Sequence, residues 1–267
     1  MSLRDAWDEA SAEWIEWARR PDHDSYWRFH REALLGLLPA PGVLTVDIGC
    51  GEGRVARDLS LLGHRVVALD GSYAMAHAAA THPDAQGPVV VADAARLPLR
   101  DGCADLAVAF MSLQDVDDYR GALAEAGRVL RDGGVLVLAI VHPVNEVGHF
   151  EDSDDPDSRF VVDADWYAAH RYSDRCARDG LQMTFHSEHR PVSDYVDALA
   201  DAGFLIERIR EPTDPDPSRP WHRIPMFLHV RALRSGPADP DDKREASWPE
   251  PLAKQQGLRL SCGWVAG

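Results

Sequence analysis

Five residues in the first third of the chain have the types and spacing to hold a charged small molecule. Asp47 closes an apolar run, and Gly49, Gly51 and Gly53 follow it two residues apart, in the stretch TVDIGCGEGRVARDL. Asp70 closes a second apolar run about 20 residues later, the distance at which nucleoside-binding folds place a carboxylate on ribose hydroxyls. Asp93 ends a third run, VVVAD. Glycines after a strand let the backbone approach a ligand, and the start of the next helix offers unpaired N–H groups. The obvious ligand is a dinucleotide, which needs GxGxxG for close packing around a pyrophosphate. Here Arg54 stands where the third glycine would be, and the Asp47 charge would repel phosphate. Both facts suit a phosphate-free cofactor with a cationic end. S-adenosylmethionine is such a cofactor.

Two histidines are candidates for proton transfer. His142 directly follows a fifth apolar run, GGVLVLAIV, and an imidazole there could act as a base near neutral pH. His189 lies in MTFHSEHRPVSDY, where strand alternation sets Phe185, Ser187 and His189 on the face opposite His186, Glu188 and Arg190. A histidine at either position can equally serve as a hydrogen-bonding cap. His142, Glu146 and His149 would share one helix face, but Pro143 and Gly148 oppose that helix, so no metal site is expected.

Positioning these residues requires alternating strands and helices. GVLTVDI, HRVVALD, GPVVVAD, ADLAVAF and GGVLVLAIV read as strands covered on both faces, because they are continuously apolar. VARDLSLLG and YRGALAEAGRVL have helical apolar spacing, and the alternation predicts a doubly wound parallel α/β sheet. FLIERIR and IPMFLHVRAL, joined without a helix, predict an antiparallel edge hairpin that completes seven strands. Residues 1–40 read as a helical cap, with Asp24 or Ser25 starting a helix over SYWRFHREALLGLL. A cofactor-binding domain is expected over 41–235, with a polar lid insertion at about 142–192. Residues 236–267, dense in Pro and Asp, read as a loosely held tail.

Composition bounds the partners. The 267 residues carry 44 acids against 28 bases, a net charge of −16, which disfavours nucleic acid and anionic membrane surfaces. The four cysteines form no CxxC pair, which fits a reducing cytoplasm rather than a disulfide framework. The first residues lack the apolar segment of a signal peptide.

The run VDIGCGEGR, with VVALDGS, VVVADAARLP, DLAVAFMSLQDVDD and RVLRDGGVLVLAIVHP in that order, resembles the class I S-adenosylmethionine-dependent methyltransferases over residues 40–235. The likeness is nearest to the bacterial small-molecule group described as ubiquinone/menaquinone-type. It implies a Rossmann-like fold and methyl transfer to a small organic acceptor, leaving S-adenosylhomocysteine. It also implies a cofactor cradle of Asp47, Gly49, Cys50, Gly51, Gly53, Asp70, Gly71, Ser72, Met75, Asp93, Ala94 and Met111, with Tyr26 from the cap. Gly71 departs from the side-chain-bearing residue that relatives often have there. The histidines and the lid aromatics (Tyr26, Trp27, Phe29, Trp166, Tyr167 and Tyr172) lead to an expectation of O-methylation of a partly apolar molecule. N- or C-methylation, a non-catalytic binder of the same cofactor and an NAD-dependent dehydrogenase are the alternatives.

Overall fold

The five apolar runs form adjacent parallel strands, because each can be buried on both faces only inside a layered sheet. The computed structural model describes residues 2–21 and 23–235. The strands are β1 (Thr45–Ile48), β2 (Val66–Asp70), β3 (Val89–Val91), β4 (Ala104–Phe110) and β5 (Leu130–Val141). Two later strands, β10 (Phe204–Arg210) and β11 (Phe227–Arg234), complete a seven-stranded sheet in the order β10-β11-β5-β4-β1-β2-β3. β11 runs antiparallel to both β5 and β10, as the edge hairpin predicts.

Helices cover both faces. On one, α5 (Tyr119–Val129) and α6 (Val192–Asp201) bury Leu123, Ala126, Tyr195 and Leu199 against the sheet. On the other, α2 (Arg31–Leu35) and α3 (Arg54–Leu61) bury Leu34, Val55 and Leu59, while α4 (Tyr73–Ala80) follows β2. The strand order reverses between β1 and β4, so a crevice opens at their carboxyl ends, where such sheets bind ligands.

The N-terminal segment differs from its sequence reading. α1 (Leu3–Arg19) starts with a reciprocal cap between Ser2 and Asp5. The predicted helix over residues 25–38 is instead a five-residue π turn, Tyr26–His30, leading into the short α2. Ser25 makes no side-chain cap, and Asp24 Oδ1 accepts from Tyr26 N at 3.1 Å. The wider turn lets both Tyr26 and His30 point into the protein, where Tyr26 reaches Asp58 and His30 reaches His229.

The insertion after β5 has more strand than its polar composition suggests. β6 (Gly148–Phe150) pairs with β7 (Phe160–Val162), and β8 (His170–Arg178) pairs with β9 (Leu181–His189). The long hairpin turns at Asp179-Gly180, both at positive φ, the backbone that a two-residue primed turn requires. β9 alternates as its sequence predicts, with Met183, Ser187 and His189 buried on one face. α1 lies against that hairpin through Trp7, Trp14 and Trp17, all edge-on to Phe185. The tail expected over residues 236–267 lies outside the described residues. No helix among the described residues is long and apolar enough to cross a membrane.

Candidate active site

The turn after β1 is built from three left-handed glycines, Gly49 (φ 71°), Gly51 (φ 56°) and Gly53 (φ 90°). Two of them are also required by close approach. A Cβ on Gly49 would lie 2.4 Å from the Ser112 Cβ, and one on Gly53 would lie 2.9 Å from that of Ala79. The first contact brings the end of β4 directly against the loop, and Ser112 Oγ donates to Ile48 O at 2.8 Å to hold it there. Met111, the residue between β4 and Ser112, has φ 53°, a strained value for a side chain of its size.

Three carboxylates converge on this turn. Asp70 accepts from Gly51 N and from Ser72 N, each at 2.8 Å, so it clamps the glycine turn to the start of α4. Burial raises its pKa. Asp47 is buried, its Oδ2 has no hydrogen-bond partner among the described residues, and burial together with the neighbouring Asp70 pushes it up to about 7. Asp93 accepts from Ala95 N at 2.9 Å at the open end. A buried carboxylate oxygen without a donor, beside backbone bared by glycines, fits a ligand with an ammonium group and no phosphates.

A single cavity of about 700 Å³ joins this cradle to a second chamber. Asp47, Gly49, Cys50, Gly51, Asp70, Gly71, Ser72, Met75, Asp93, Ala94 and Met111 all line it. Gly53 and Tyr26 do not. Gly53 sits behind the turn on Ala79, and Tyr26 is fully buried beneath the Arg54 guanidinium, 4.5 Å from its ring, with its hydroxyl on Asp58. Their positions are structural: Gly53 starts α3, and Tyr26 anchors the π turn. Arg54 is itself at the cavity, paired with Asp24 at 2.5 Å and stacked against Trp14.

The second chamber lies between α1, β8–β9 and the segments that follow β4 and β5. Asp115 accepts from Ser187 Oγ at 2.6 Å and from Gln114 Nε2 at 3.3 Å. Tyr172, which faces Ser187 across the hairpin, donates to Glu146 Oε1 at 2.9 Å. Gln114, Asp115, Asn145, Tyr172 and Ser187 line the cavity. Burial, and to a smaller degree the Glu146 charge, hold the Asp115 carboxyl well above its ordinary range. Arg190 donates to Val116 O at 3.1 Å and to Leu113 O at 3.4 Å, stacks on Tyr119 and so fixes the turn that carries Asp115.

Neither expected histidine lines the cavity. His189 is completely buried, its Nδ1 2.8 Å from Glu146 Oε2 and its Nε2 2.9 Å from Trp166 O. Both ring nitrogens are occupied, and it buttresses Glu146 from behind. His142 caps the 3₁₀ turn after β5 by accepting from Val144 N, and its other nitrogen meets Glu211 at 3.2 Å. Burial lowers its pKa. Of the lid aromatics, Phe29 and Tyr172 line the cavity, while Tyr26, Trp27, Trp166 and Tyr167 do not.

Asn145 escaped the sequence reading, Gln114 and Asp115 lay in the segment DLAVAFMSLQDVDD without being singled out, and strand alternation placed Ser187 only on a strand face. Asp115 had a local signal: an acid in the short turn MSLQD that follows the apolar strand β4. Asn145 had none, since its place at the cavity comes from the hydrogen bonds of its side chain to Pro225 O and Met226 O.

Residues 46–138 match a family model described as a methyltransferase domain. A malonyl-[acyl-carrier protein] O-methyltransferase of Geobacter sulfurreducens is 31% identical over 230 residues, covering 82% of this chain and 78% of that relative. Another of that name, from Pectobacterium atrosepticum, is 38% identical over 110 residues, but the match spans only 40% of this chain and 43% of that protein. A crystal structure of an S-adenosylmethionine-dependent methyltransferase from Mesorhizobium loti superposes with a TM-score of 0.62 at 27% identity, covering 80% of this chain and 99% of the other. With the strand order, the glycine turn and the three strand-end carboxylates in place, the chain belongs to the class I S-adenosylmethionine-dependent methyltransferases.

Proposed function

We propose that the protein transfers a methyl group from S-adenosylmethionine to a hydroxyl oxygen of a small organic acceptor. The observation that carries this reading is the continuity of one cavity from Asp70 and Asp93, past the contact between Gly49 and Ser112, to Asp115. The relatives named as O-methyltransferases support oxygen as the receiving atom.

Asp70 and Asp93 would hold the nucleoside hydroxyls and amino group, and Asp47 the ammonium end. Bound there, S-adenosylmethionine would supply an electrophilic methyl group and leave as S-adenosylhomocysteine. The chain's own part is mostly positioning, since an oriented pair of reactants already removes a large share of the barrier. α1 and the β8–β9 hairpin cover the chamber with tryptophan and phenylalanine rings and exclude water. A neutral hydroxyl must lose its proton, and Asp115 is the carboxylate placed to accept it. Its raised pKa makes it a stronger base than an exposed aspartate. Ser187 and the Arg190-anchored turn hold the carboxyl in position.

The test is a screen of hydroxylated small molecules for release of S-adenosylhomocysteine. Release that depends on an acceptor with a free hydroxyl, and that ceases when the hydroxyl is etherified, is the expected result. Release only with amines would move the reading to N-methylation.

A further inference from the structure

Two buried acceptor atoms on residues that line the second chamber have no partner among the described residues. Asn145 Nδ2 donates to Pro225 O at 3.0 Å and to Met226 O at 2.8 Å. Two carbonyls accept from the same nitrogen, so the amide orientation is fixed and its oxygen must face the other way. That Oδ1 is buried and unpaired. Gln114 Nε2 lies 3.3 Å from Asp115 Oδ2, and among the described residues its Oε1 is likewise buried and unpaired. Gln114 is 3% exposed. Both residues line the one cavity, on the neighbouring segments that follow β4 and β5. A buried carbonyl oxygen without a donor is destabilising, and no group among the described residues donates to either atom.

We infer that Gln114 Oε1 and Asn145 Oδ1 are the specificity pair of the acceptor site, and that the acceptor carries hydrogen-bond donors to meet them besides the hydroxyl that is methylated. This rests on the methyl-transfer reading for the identity of the chamber. The ligand class is a small molecule with several O–H or N–H groups, of modest size and partly apolar. A monoether or hydrocarbon of the same shape would leave both oxygens desolvated, and a site built to accept hydrogen bonds rejects such analogues strongly. Arg4, Arg28, Arg54, Arg178 and Arg219 also line the cavity, so a carboxylate-bearing acceptor is the rival reading that the hydroxybenzoates test.

The experiment uses the full chain saturated with S-adenosylhomocysteine and reads equilibrium binding of the three dihydroxybenzenes, their dimethyl ethers and the hydroxybenzoates. Together the three isomers sample the spacings that two acceptors can span. At least one dihydroxybenzene is expected to bind about tenfold or more tighter than its dimethyl ether, the worth of one to two net hydrogen bonds. Gln114→Met should reduce that preference severalfold, with its thermal unfolding monitored as a folding control. Equal binding of the diethers, preference for the hydroxybenzoates, or no binding of any diol at millimolar concentration would overturn the inference. The wild-type panel decides even if the variant does not fold. Failure of S-adenosylhomocysteine to bind would instead strike the methyl-transfer reading, and the diol preference can then still be measured on the free protein.

Discussion

Asp47 is the most informative single residue, because its charge state depends on what lies beside it. Burial and Asp70 push it up to about 7 in the free protein. A bound ammonium favours the ionised form, so binding should expel a proton. At pH 6, calorimetry of S-adenosylhomocysteine binding in two buffers of different ionisation enthalpy should therefore show proton release. Affinity should fall as pH drops below about 7, and Asp47→Asn should abolish the buffer dependence. Asp115→Asn should leave S-adenosylhomocysteine affinity unchanged but lower acceptor-dependent turnover by about 100-fold or more, the usual worth of a placed base. In the wild type, turnover should rise with pH as the raised Asp115 carboxyl ionises, and the variant should lose that limb. Asp47, Asp70 and Asp93 stood out in the sequence because strand-end acids announce themselves through the apolar runs before them, and all three line the cavity. For His142 and His189 residue type suggests a base, and only packing reveals that Val144 N, Glu211, Glu146 and Trp166 O lie against their ring nitrogens.

Among the elements, the strands of the sheet were legible and the cover was not. Parallel strands buried on both faces leave continuous apolar runs, and no other element writes that signature at such length. The β8–β9 hairpin is half exposed and polar, and its one local signal, Asp179-Gly180, is easily read as an ordinary loop. The π turn had no signal, because Tyr26 and His30 are drawn inward by Asp58 and His229, far away in sequence. Arg54 joins these elements: it opens α3 directly after the glycine turn, pairs with Asp24 before the π turn and stacks on Trp14 of α1. Its side chain and that of Asp24 are 8% and 10% exposed. Arg54→Met would leave the Asp24 carboxylate buried without its partner. The expected loss is about 3 kcal/mol of stability by urea unfolding, since a broken buried pair costs more than the pair itself contributes. A loss near zero would mean that the cover is not tied to the turn through this contact.

At the scale of the whole molecule, two pH responses oppose each other. His229 is buried against His30, and burial lowers its pKa to about 4. His30 is lowered in the same direction. An unfolded histidine binds a proton near 6.5, so these groups give stability that is full above that value and is lost as pH falls toward 4. The His229 share of that loss is about 3 kcal/mol. Asp47, raised rather than lowered, works the other way, and its ionisation costs stability as pH rises from about 4 to 7. The net curve mixes both, so the difference between wild type and His229→Met isolates the histidine: the variant should lose less stability between pH 6.5 and pH 4. Equal slopes in the two proteins would show that the pair is not buried neutral. The doubly wound sheet with its antiparallel edge was legible from the order of apolar runs, because connection rules leave few ways to fold that alternation. The acceptor's identity was not, since its contacts come from segments that meet only after folding. The central claim, that the cradle after β1 holds a sulfonium nucleoside, is met most directly by calorimetric titration with S-adenosylhomocysteine of the wild type and Asp70→Ala. One-site binding, weakened about tenfold or more by the substitution, is the predicted result, whereas no binding or an unchanged affinity in the variant would contradict it.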